Sequence, residues 1–156
     1  MSAIVQRFIH EDLSLEQGWD LIEWCLERGG NEFSLQLMSL DGELPSSHER
    51  LKSALAPFHR GTPKRENVTT KAGRASRPST GIWSLCSDSV AALRHHVANG
   101  LFTAPSYVTT GWFENFTIYR HGEIMLGVVS HEGLVVLHLA GRELSELKIE
   151  SHETAP

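Results

Sequence analysis

From residue 107 the polarity pattern of this chain repeats every second residue, and this constrains the fold more than anything else. WFENFTIYR, EIMLGVVS and LVVLHLA follow one another as three strand-length segments. Side chains alternate across a strand, so a period of two marks a pleated surface and not a helix. His121-Gly122 separates the first two segments and suits a two-residue hairpin turn; Gly133 suits a bulged turn before the third. The reading is an antiparallel meander. Its middle strand is apolar at nearly every position and is expected to lie centrally with both faces covered.

Helical signals dominate the rest of the chain. In LSLEQGWDLIEWCLERGG, Ser14 and Gln17 have capping-box spacing, and Gly29-Gly30 ends the run. Leu15, Trp19, Ile22 and Leu26 recur at i, i+4, i+7 and i+11, which at about 100° per residue is one narrow stripe. A second helix is expected from Ser46 to Ala56, with Leu51 and Leu55 inward and Pro57 as its stop. A third is expected in SDSVAALRHHVANGL, capped by Ser87 or Asp88 and buried through Val90, Leu93 and Val97. Phe33, Leu35 and Leu37 alternate with polar residues as a half-buried strand, residues 3–10 read as a weaker strand, GIWSL as a short one, and GRELSELKIE as a final helix or helix plus strand. The fold class is therefore α+β: an antiparallel sheet packed by two or three helices. The chain of 156 residues reads as one domain, residues 1–156, with a flexible basic loop at about 59–80.

Charge is unevenly spread. Residues 60–77 hold Arg60, Lys64, Arg65, Lys71, Arg74 and Arg77 against Glu66, a balance of +5; the remainder, with 8 basic and 18 acidic groups, stands at −10. An acidic body repels phosphate, which argues against a nucleic-acid-binding domain; only the loop could approach such a ligand. No apolar run reaches the roughly 18 residues of a membrane span. The opening MSAIVQRFIHEDL lacks a signal-peptide pattern, so a cytoplasmic protein is expected. Cys25 and Cys86 match no metal-ligand spacing, and the nine histidines form no HExxH array, so neither metal nor cofactor is expected.

Trp24 projects about 180° from the apolar stripe of the first helix, among Gln17, Asp20, Glu27 and Arg28. An indole on an acidic outer face is the kind of residue that anchors interfaces. Trp112 and Phe113 belong to an aromatic run that also holds Tyr107 and Phe116; on an unbroken strand Trp112, Glu114 and Phe116 share one face. These residues make the preferred reading a non-catalytic acidic binding module, regulatory, inhibitory or immunity-type, for a basic protein partner; a homo-oligomer also fits. One alternative is a small enzyme acting on an anionic substrate. The basic loop would be its lid, His138, Tyr119 and Cys86 its candidate chemical groups, and His138 is expected across from Leu126 on Tyr119's face. A further alternative is a nucleic-acid accessory protein that uses the loop.

Overall fold

The computed structural model describes residues 4–9, 13–39, 46–61, 79–97, 101–102, 111–129 and 134–147. In chain order the elements are β1 (Ile4–Ile9), α1 (Leu15–Glu27), β2 (Glu32–Ser39), α2 (Ser46–Leu55), a 3-10 turn (Ala56–Phe58), β3 (His59–Gly61), β4 (Ser79–Ser84), α3 (Ser87–His96), β5 (Gly111–Arg120), β6 (Glu123–Val129), β7 (Leu134–Leu139) and α4 (Gly141–Glu146). The strands form one sheet in the order β1-β7-β6-β5-β2-β4-β3. Every pairing is antiparallel. The fold is α+β, as the residue pattern requires.

The meander forms as expected. His121 and Gly122 join β5 to β6 with φ of 53° and 78°, the left-handed pair that a tight hairpin turn demands. β6 lies inside the sheet, yet Ile124 and Val129 are 40% and 37% exposed, so its two faces are not both covered. The sheet continues past the meander in both directions: β2 adds to β5, and β1 closes against β7 with Ile9 opposite Leu134.

One face of the sheet carries the core. Phe33, Leu35 and Leu37 of β2, Trp83 of β4, Phe116 and Ile118 of β5 and Leu137 of β7 are buried, and they pack with Ile22 and Cys25 of α1, Leu51 and Leu55 of α2, and Leu93 of α3. Phe33 sits between the rings of Trp83 and Phe116, with centroids 5.4 and 5.7 Å away.

Helix α1 starts as its sequence dictates: Ser14 Oγ accepts from the Gln17 amide (3.1 Å), and Gln17 Oε1 accepts from the Ser14 amide (2.8 Å). Its buried side, however, is Gly18, Trp19, Leu21, Ile22 and Cys25, while Leu15 is 47% exposed. The helix is rolled toward Gly18 because the Phe102 ring presses on that residue: a Cβ there would lie 2.8 Å from the ring. A bare backbone admits the ring more closely than any side chain could. At α3 the N-cap is Cys86, not Ser87 or Asp88, with its amide donating to Ser89 Oγ (2.9 Å).

A bulge breaks the alternation of β5. Ser34 faces Thr117, but Gln36 faces Glu114, so β5 holds one extra residue, and Asn115 takes φ of 54°. Phe116 therefore enters the core while Glu114 lines up with Gln36, and Trp112, Glu114 and Phe116 do not share a face. The side of β2 opposite the core is polar: Ser34 Oγ and Tyr119 Oη are 3.1 Å apart, and Asn115 Nδ2 donates to Gln36 Oε1 (3.0 Å).

Candidate protein-interaction site

The outer surface of α1 carries a second stripe besides the buried one. Glu16, Asp20, Glu23 and Glu27 recur at i, i+4, i+7 and i+11 and are all exposed. At 3.6 residues per turn they make a single acidic ridge along the helix. Arg94 of α3 leans across to it, with a guanidinium nitrogen 2.9 Å from Glu16 Oε2 and another 3.8 Å from Glu23 Oε1. The same guanidinium lies over the Trp19 ring, 5.7 Å from its centroid. Asp20 and Glu27 form no ion pair or hydrogen bond among the described residues.

Beside the ridge, between α1 and α3, runs an open groove of about 390 Å³. Glu23 and Glu27 line it from α1; Ser87, Ala91 and Arg94 line it from α3; Leu26 and Val90 supply its large apolar side chains. Ser87 and Ala91 are small and one turn apart, so the α3 wall stays low along its first two turns.

Trp24 borders the ridge but is less open than the helical period implies. It is half-buried and packs against the core, and the Arg28 guanidinium lies over its ring, 5.5 Å from the centroid. Arg28 in turn pairs with Glu146 of α4. Next to this pair Arg120 of β5 grips Glu143 of α4 with two hydrogen bonds (2.7 and 3.0 Å) and donates to the carbonyl of Arg28 (3.1 Å). Arg120 holds the Glu143 carboxyl below its ordinary pKa, chiefly through these hydrogen bonds, and the Arg120 pKa is raised in return. The helix expected in GRELSELKIE forms as α4 over Gly141–Glu146, and through these contacts it ties down this end of α1.

The groups considered for catalysis do not converge. Tyr119 is on β5 and His138 on β7, on the same sheet face but with β6 between them, two strand spacings or about 10 Å apart. His138 pairs with Val5 on one side, and on the other Leu126 faces Leu137, not His138. The expected β6–β7 register is off by one: the ladder runs unbroken from Leu126 opposite Leu137 to Val129 opposite Leu134. Cys86 caps α3 elsewhere, half-exposed, its thiol 3.6 Å from Ser89 Oγ. Cys25 is fully buried, and burial pushes its thiol pKa up to about 12, which keeps it protonated and unreactive. Among the described residues, no three His, Cys, Asp or Glu side chains gather as a metal site, and no helix is long and apolar enough to cross a membrane.

Of the loop cations, Arg60 lies on β3, exposed, with its Nε donating to Ser84 Oγ (2.6 Å). The two ends of the expected loop are strand, β3 and β4; Lys64, Arg65, Lys71, Arg74 and Arg77 lie outside the described residues. Trp112 and Phe113 are placed by register opposite Met38 and Leu37. The chain matches no protein-family model, no curated protein and no solved structure with which it was compared.

Proposed function

We propose that this chain is a non-catalytic binding module that presents the outer side of α1 and the adjoining wall of α3 to a basic protein partner. The observation that carries the reading is the coincidence of four aligned carboxylates with an apolar-floored groove along the same helix. Charge of one sign draws an oppositely charged partner in and selects it, while the apolar floor supplies area to bury. A second copy would set one acidic ridge against another, so this side favours a foreign partner. An enzymatic reading has less to rest on, since Tyr119, His138 and Cys86 sit on separate elements and none of them lines the groove.

The test is capture from an extract of the native source, with the wild type and an Asp20→Lys/Glu27→Lys variant as bait. Both positions are exposed, so melting temperatures should agree. The expected result is a basic protein retained by the wild type, lost by the variant, and cross-linked to α1. An identical retained set for both baits overturns the proposal.

A further inference from the structure

The groove already holds a cation of its own. Arg94 stands where α3 passes the acidic ridge, and its side chain is 41% exposed. Glu16 and Glu23 are 72% and 52% exposed, so this is a solvated ion pair, which holds weakly and breaks readily. Its contact with Glu23, at 3.8 Å, is longer than a hydrogen bond, which leaves the Glu23 oxygens free to take a better donor.

We infer that Arg94 is an internal competitor for the rim carboxylates, and that an amphipathic basic helix of the partner displaces it on docking into the α1–α3 groove. This deepens the binding-module reading and rests on it. The occupant's chemistry follows from the lining. Asp20, Glu23 and Glu27 are spaced over about 4–10 Å along α1, at 1.5 Å per residue. Lysine or arginine at i, i+4 and i+7 of a second helix repeats at those same intervals. The trough between two helices, floored by Leu26 and Val90 and kept open by Ser87 and Ala91, receives the apolar ridge of a third helix. A partner cation that reaches Glu23 meets Arg94 on the way.

The probe is a synthetic amphipathic helical peptide of leucine and lysine, with a leucine–glutamate peptide of the same pattern as control, followed by fluorescence anisotropy. Wild type should bind the lysine peptide and not the glutamate one, more weakly as salt is added. Arg94→Gln should bind it about three- to tenfold tighter, while Arg94→Lys, which restores the internal cation, should behave as wild type. Glu27→Gln should bind several-fold more weakly. Ala91→Trp, a filled groove at an exposed position, should lose at least tenfold with no change in melting temperature. If Arg94→Gln binds no tighter while Glu27→Gln and Ala91→Trp still weaken binding, the competitor role is overturned and the interface reading survives. If Ala91→Trp has no effect, the groove is not the docking site.

Discussion

Replacing Arg120 by Met should loosen one end of the molecule by an amount the structure allows to be worked out. Arg120 makes three hydrogen bonds, two to the Glu143 carboxylate and one to the Arg28 carbonyl at the end of α1. The Arg120 and Glu143 side chains are 25% and 14% exposed, between a surface pair, where about 0–1 kcal/mol is usual, and a fully buried one, where removing a partner costs about 3–5 kcal/mol. Met keeps an unbranched apolar stem of similar reach, with sulfur in place of Cδ, so the cost is mostly polar. Glu143 retains the Ala140 amide (3.2 Å) but loses its cation. A loss of about 2–3 kcal/mol is expected at neutral pH, which lowers the melting temperature by about 5–10 °C for a chain of this size. The four tryptophans give a fluorescence signal for thermal and urea melts. Acid supplies an internal control. The folded-state pKa of Glu143 is depressed, so its stabilisation is fully present above the unfolded carboxyl value of about 4.3 and fades as pH falls through the lower folded value. The gap between wild type and Arg120→Met should therefore begin to narrow below about pH 4.3 and shrink further as Glu143 protonates, leaving the part due to the Arg28 carbonyl. Arg120→Met/Glu143→Leu should recover most of the loss, because no carboxylate is then left unpaired. A drop of less than about 2 °C at pH 7, or a gap indifferent to acid, would refute this account of the ion pair.

Other positions give shorter tests. In the native protein a thiol reagent should modify Cys86 alone; Cys25, buried and held protonated, should react only after unfolding, which a thiol count with and without denaturant reads directly. Gly30→Ala should destabilise by about 1–3 kcal/mol in urea melts, because the new Cβ would sit 2.9 Å from the Cys25 carbonyl oxygen and 3.0 Å from Ile118 Cγ2, atoms of the packed core. His121→Asn should raise the urea midpoint slightly, by about 0.3–0.8 kcal/mol of stability, since asparagine tolerates the left-handed φ of 53° better than histidine.

What the sequence made legible was local. The His121-Gly122 turn and the alternation on either side of it determine two strands and their pairing, and Ser14 with Gln17 determines where α1 begins. The roll of α1 was hidden because Gly18 carries no polarity signal, and the Phe102 ring that packs against it comes from far along the chain. Bulges are equally silent: one extra residue at Asn115 and another in β6 change which side chains face each other without altering the apparent period. At the candidate site Asp20 and Glu27 were legible as neighbours of Trp24 on the side of α1 away from its apolar stripe, whereas Glu16 and Glu23 were not singled out. The groove and Arg94's reach to Glu16, 78 positions away, depend on how α1 and α3 lie together, which no local pattern encodes.

The pairing of Ile9 with Leu134 has a consequence for how the chain comes into being. These neighbours are 125 positions apart, so a ribosome adding about 5–20 residues per second makes β1 roughly 6–25 seconds before β7 exists. Throughout that interval the nascent IVQRFI stretch lacks β7, the strand it pairs with among the described residues, and its open backbone is available to a chaperone or a neighbouring nascent chain.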